Sequence, residues 1–290
     1  MPDKSHRTTP NIHTLRCAAA AVAILFACSF FPAQALAKEI IKIGGTGCAL
    51  GAMKLIADAF EQAYPQYAVR VLPSLDSSGG IMAVTEGAID IGLSSRPLKD
   101  EERTKGIIIH EYGRTPFIFA ANGRLNMRGL STAELVEIYS GRRQSWGDGR
   151  RIRLVLRPRA DSDNVILRKI SADMDRAVEE ALSRKGMLVG LTSQDSNILI
   201  ERTPGAMGTT TLTEWIAEKR SFQPLSFNGI KPTVATLAEG RYPLVRPLYL
   251  ILPPRQSGPV KHFVKFVSSR QGQRILEENG IWVSGKRTAH

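Results

Sequence analysis

Three short segments gather backbone N–H groups and hydroxyls where an apolar strand pattern gives way to a helical one. They are Gly44-Gly45-Thr46-Gly47-Cys48-Ala49-Leu50-Gly51, Asp76-Ser77-Ser78-Gly79-Gly80 and Ser94-Ser95-Arg96-Pro97. A small oxyanion leaves water only when many donors converge on it, and the unpaired N–H groups at a helix start are donors already fixed by the fold. The hydroxyls of Thr46, Ser77, Ser78 and Ser95 add to them. Further along, Arg159 can supply a charged fork. The chemistry these residue types suit is capture of a small anion. Each segment alone is also ordinary glycine turn chemistry, so the weight falls on their recurrence.

Other chemistries fit less well. Gly45, Gly47 and Gly51 after a strand, with Asp76 near the end of the next, approach a dinucleotide-binding spacing. Asp76 runs straight into Ser-Ser-Gly-Gly, however, and no catalytic His or Tyr constellation accompanies it. The five His include His13 and His290 near the two ends, and His110 and His262 show no metal-ligand spacing. Ser94 and Ser95 lack a nucleophile elbow. The expectation is no enzyme and no cofactor.

The elements that must position the anion-binding residues follow from periodicity. Strands are expected at 40–43, 68–72, 89–93, 117–121, 153–156 and 248–252, where apolar β-branched residues cluster. Helices are expected after 50, with Leu55, Ile56, Ala59, Phe60 and Ala63 on one face, and near 81–85. Further helices are expected at 132–139 capped by Ser131, and near 165–170, 176–185, 196–202, 260–267 and 272–278. Strand, polar glycine loop and helix recur, which predicts parallel sheets with helices on their faces. In such sheets ligands sit beyond the carboxyl ends of the strands, where the three polar segments lie.

The first 37 residues read as a secretory leader. Lys4, Arg7 and Arg16 precede an apolar run from Cys17 to Phe31, and Ala35-Leu36-Ala37 is a small-x-small cleavage site. Leu25-Phe26-Ala27-Cys28 resembles a lipoprotein cleavage site, although Phe26 is bulky where a small residue is usual. The expected location is the periplasm, with cleavage after Ala37. Lys+Arg number 39 against 27 Asp+Glu, a formal charge of +12 that favours anionic partners. Seven arginines crowd 142–159, with Asp148 as the only acid among them. That stretch reads as a solvated basic face. Nucleic-acid binding would want aromatic interleaving, which Trp146 alone does not supply. The chain beyond the leader, about 250 residues, is long for one core and comfortable for two lobes.

The motifs also resemble a known family. Thr46-Gly47-Cys48, Ser77-Ser78-Gly79-Gly80, Asp90-Ile91-Gly92-Leu93-Ser94-Ser95-Arg96-Pro97-Leu98, Ile138-Tyr139-Ser140-Gly141 with Trp146, Pro204-Gly205-Ala206-Met207-Gly208, Tyr242-Pro243-Leu244 with Arg246-Pro247-Leu248-Tyr249, and Gly272-Gln273 with Gly280 follow one another as in the phosphate-binding (periplasmic substrate-binding) subunits of ABC transporters. The resemblance runs in order over nearly the whole chain beyond the leader.

What it implies is a type II periplasmic-binding-protein-like α/β fold with two lobes, each a central mostly parallel sheet flanked by helices. Lobe one would span 38–122 and 221–290, and lobe two 123–220. In that family the anion is held by a Thr at the first helix start, a Ser in the Ser-Ser-Gly-Gly loop, an acid after the third strand, and an Arg followed shortly by Ser-Gly-Thr. Here Ser77 and Arg159 keep those roles. Cys48 stands in place of the Thr, Ser95 in place of the acid, and Asp163-Asn164-Val165 in place of Ser-Gly-Thr.

A carboxylate at Asp163 is costly beside an anion unless it points away, pairs with an Arg or accepts a ligand proton. The resemblance implies closure on a small inorganic anion, phosphate first, between Thr46, Gly47, Cys48, Ala49, Leu50, Ser77, Ser78 and Ser95 on one side and Arg159, Asp163, Asn164 and Val165 on the other. The expected partners are ABC transporter permease subunits, the expected state a monomer. The alternative is a ligand-drifted paralogue acting as a binding or interaction protein in the envelope.

Overall fold

The apolar runs become a layered α/β structure in the computed structural model, which describes residues 38–123, 125 and 129–283. The expected leader, its cleavage site and Cys28 lie outside the described residues. In chain order the elements are β1 (Glu39–Gly45), a 3-10 turn (Gly47–Ala49), α1 (Leu50–Ala63), β2 (Tyr67–Val71), α2 (Asp76–Thr85), β3 (Ile91–Ser94), α3 (Asp100–Arg103) and β4 (Ile108–Ala121). Next come β5 (Gly129–Leu130), α4 (Thr132–Tyr139), β6 (Arg153–Leu156), α5 (Ser162–Arg168), α6 (Ala172–Ser183), β7 (Leu188–Val189), α7 (Ser193–Arg202) and β8 (Ala206–Thr211). The chain closes with α8 (Leu212–Ala217), β9 (Gln223–Phe227), α9 (Val234–Ala238), β10 (Val245–Leu252), α10 (Gly258–Val267) and α11 (Arg270–Glu278).

Strand order is β2-β1-β3-β10-β4-β8-β6-β7. The first three strands are mutually parallel, as are β8, β6 and β7. Between these parallel sets, β10 runs antiparallel to β3 and β4, and β4 antiparallel to β8.

Two large hydrophobic cores result, with two smaller clusters around Ile81 and Val84 and around Val155 and Ile200. One of the large cores gathers Ile41, Ile43, Met53, Phe60, Leu93, Leu250 and Phe263. The other gathers Phe117, Phe119, Leu135, Tyr139, Trp146, Met174 and Leu225. β4 passes from one to the other: its early residues pair with β10, and Phe117 to Ala121 pair with β8 and β9. The second core therefore begins at Phe117. It includes Phe227, Tyr242 and Leu244, and β9 joins it by pairing with Phe119 to Ala121 on the edge of β4 opposite β8.

Local signals read from sequence reappear with small shifts. Ser131 caps α4, accepting from the Glu134 N–H while the Glu134 carboxylate takes the Ser131 N–H in return. In α1 the buried face is Leu50, Met53, Ile56, Ala57 and Phe60, whereas Leu55 and Ala63 point outward. Ile56 and Phe60 stay on the buried face as expected, and Leu50, Ala52 and Met53 join them in the first core.

Candidate functional site

A cavity of about 310 Å³ opens beyond the ends of β1, β3, β6 and β8. Its first wall is built by close approach of backbone. Gly45 has φ +144°, and an added Cβ would stand 2.1 Å from the Leu93 carbonyl oxygen. Only a glycine lets β1 hand Thr46 to that position, where the Thr46 N–H donates to Leu93 O at 2.9 Å. Three hydroxyls then line up: Thr46 Oγ1 donates to Ser95 Oγ at 3.2 Å, and Ser95 Oγ lies 3.2 Å from Ser77 Oγ. The Ser95 N–H also donates to Ser77 Oγ at 3.0 Å. All three side chains are buried and line the cavity.

Cys48 lines it too, 3.3 Å from Thr46 Oγ1. Burial, aided by the Glu214 charge, pushes its thiol up to about 12. It therefore stays a protonated, weak donor. Ser78 reaches the cavity while accepting from Arg96 at 2.9 Å, and Arg96 also forks onto Glu102.

The facing wall carries the charge. Arg157, immediately after β6, is 4% exposed. It donates to Gly190 O and to Asp161 Oδ2, both at 2.6 Å, and lies 3.8 Å from Asp76. Asp161 caps α5 by accepting the Asp163 N–H at 2.8 Å. Burial and the neighbouring Asp163 raise its carboxyl to about 6, against the pull of Arg157. Arg246, from β10, is 2% exposed and donates to Ser162 Oγ at 2.7 Å and to Asp163. Thr209, at the end of β8, donates to the other Asp163 oxygen at 2.6 Å.

Thr210, Thr211 and Glu214 complete the lining. Glu214 accepts from Asn197, Thr210 and both the N–H and hydroxyl of Thr211. Burial nonetheless raises it to about 7, with the Glu218 charge adding to the effect.

Some expected residues sit elsewhere. Ala49 and Leu50 belong to the first core. Gly47 is a packing contact: its carbonyl accepts from Gln194 at 3.1 Å, and a Cβ there would stand 2.6 Å from Gln194 Oε1. Arg159 lies farthest from the expected position. Its side chain is 56% exposed and pairs with Glu179 at 2.6 Å, outside the cavity lining. Arg157 follows directly on Leu154 to Leu156, all three buried, and its own side chain stays buried with them.

Asn164 is buried, but its amide holds the Pro158 and Arg159 carbonyls, stabilising the loop. Val165 is 51% exposed, since α5 turns it away from the cavity. Arg157, Asp161, Thr209, Glu214 and Arg246 line the cavity without having been expected there from the sequence. Arg246 left a visible signal, a lone cation inside an apolar strand. The basic stretch 142–159 is no single face either: Arg143 pairs with Glu134, Arg150 with Asp148 and Arg159 with Glu179, while Arg157 turns inward.

Known proteins are similar to this chain. The phosphate-binding protein PstS of Bacillus subtilis is 25% identical over 245 residues, covering 81% of this chain and 77% of its own. Protein SphX of Synechococcus elongatus is 27% identical over 279 residues, covering 87% and 80%. Among solved structures, a candidate phosphate ABC transporter substrate-binding protein of Clostridium perfringens, with phosphate bound, superposes with a TM-score of 0.74 at 20% identity, covering 85% of this chain and all of that one. An ABC-type phosphate transport receptor of Vibrio cholerae gives 0.59 at 20% identity, over 84% and 100%. Residues 32–271 match the PBP superfamily domain, and with that span the chain belongs to the PBP superfamily.

Proposed function

We propose that this chain binds inorganic phosphate in the cleft and delivers it, outside the cytoplasm, to the permease subunits of an ABC transporter. The observation that carries the reading is the convergence of two buried arginines, Arg157 and Arg246, and the hydroxyls of Thr46, Ser77, Ser95 and Thr209 on one cavity, which Asp76, Asp161, Asp163 and Glu214 also line. A guanidinium fork and several O–H donors are what a tetrahedral oxyanion needs when it leaves water. The names of the PstS and SphX relatives and the phosphate in the Clostridium structure support it.

On this reading Thr46, Ser77, Ser95, Thr209, Arg157 and Arg246 face the solute. The lobes are 38–116 with 245–283, and 117–244, joined by β4 and the approach to β10. Binding without turnover is supported by the names of the PstS relatives, which are phosphate-binding proteins. Export rests on the leader read in 1–37, and no helix of the described residues is long and apolar enough to cross a membrane. Titration calorimetry of the purified protein with phosphate, sulfate and molybdate tests the reading. Saturable binding of phosphate in preference to the other two is expected; binding of none of them overturns it.

A further inference from the structure

The three guanidinium groups at the cleft are all engaged by carboxylates of the chain itself. Arg96 forks onto Glu102, Arg157 holds Asp161, and Arg246 holds Asp163. The third pair is as buried as the second and differs from it in what it consumes. Arg246 is 2% exposed, and Asp163 draws both on its fork and on the Thr209 hydroxyl, 2.6 Å from Asp163 Oδ2. The Arg246 Nε, fully buried, has no hydrogen-bond partner. A buried guanidinium N–H without an acceptor is costly and marks a place where an acceptor is wanted.

A carboxylate offers a guanidinium fork the same paired oxygens that a phosphate does. We propose that the Asp163 side chain is an internal occupant of the anion site, holding donors that an incoming phosphate needs, so that its identity sets how tightly this chain binds its solute. The inference rests on the phosphate reading above. Phosphate must displace the carboxylate from Arg246 and Thr209 or bind beside a like charge, and either route lowers affinity. Displacement has a path, because Asp163 opens α5 and its side chain is 16% exposed.

Arg246 does not depend on Asp163 to stay in place. It bonds Ser162, and its guanidinium carbon lies 5.0 Å above the Phe117 ring. Removing the carboxylate therefore frees a positioned cation. The same argument does not reach Asp161, whose capping bond to the Asp163 N–H keeps the helix start intact.

The test is titration calorimetry of wild-type protein, Asp163→Asn and Asp163→Ser with inorganic phosphate, after melting curves establish which variants fold. The expected result is phosphate binding about tenfold or more tighter in a folded variant than in wild type. Wild-type binding with no gain in a folded variant overturns the proposal and leaves the phosphate reading standing. Binding by none of the three overturns both. Failure of both variants to fold also overturns it, since Asp163 would then be a structural anchor rather than a displaceable occupant.

Discussion

Arg157 reaches within 3.8 Å of the Asp76 carboxylate on the facing wall, so a guanidinium rooted after β6 and an acid at the start of α2 share the mouth of the cleft. The contact spans the two walls that a bound solute would bridge. Arg159, two residues on, pairs instead with Glu179.

Arg157→Ala is expected to weaken phosphate binding by about tenfold or more and to destabilise the fold by roughly 3 kcal/mol, because Asp161 loses its buried partner. Arg159→Ala removes an exposed pair with Glu179 and should change stability by less than about 1 kcal/mol. Calorimetric titration and urea midpoints of the two variants check this. Equal effects would mean the charged wall is wrongly placed.

Gly45→Ala should destabilise by about 3 kcal/mol or more, since the new methyl collides with the Leu93 backbone and neither strand can yield. A melting temperature within a few degrees of wild type, which corresponds to about 1 kcal/mol, would contradict it.

Glu214 has a folded pKa of about 7 against an ordinary 4.5, so between those values the folded chain keeps a proton that the unfolded chain has lost. Stability should therefore fall as pH rises through that window, by up to about 3 kcal/mol from this group. Glu214→Gln should flatten the dependence between about pH 5 and about pH 8 in urea melts. An unchanged slope would remove Glu214 as its source.

Protein lacking 1–37 should leave Cys48 unreacted by an aromatic disulfide reagent at about pH 8, and react fully once unfolded, because burial holds the thiol protonated near 12. Rapid labelling of the native protein would show that the cleft opens deeply enough to expose it.

How much was legible follows from how local each signal is. The Ser131 cap and the helix behind it depend on residues three apart, and they appear as read. The run Ser77-Ser78-Gly79-Gly80 reads as loop but forms the first turns of α2. There a Cβ on Gly80 would stand 2.7 Å from the Gly45 Cα, a packing constraint from another strand that no local pattern reveals. Strand periodicity cannot separate Arg157 from Arg159, which are two residues apart; β6 ends at Leu156, and a turn opens at Pro158 between them. Arg246 and Thr209 lie 83 and 46 residues from Asp163 in the chain, so their meeting is a property of topology alone.

The row from Thr46 through Ser95 to Ser77 has a chemical consequence of its own. Each hydroxyl carries one rotatable hydrogen and two lone pairs, so turning one rotor obliges its neighbour to turn. A Ser at 95 thus makes this wall reversible in polarity: it can offer hydrogens to a bare oxygen or lone pairs to a protonated one. A fixed acid at that position would permit only the second.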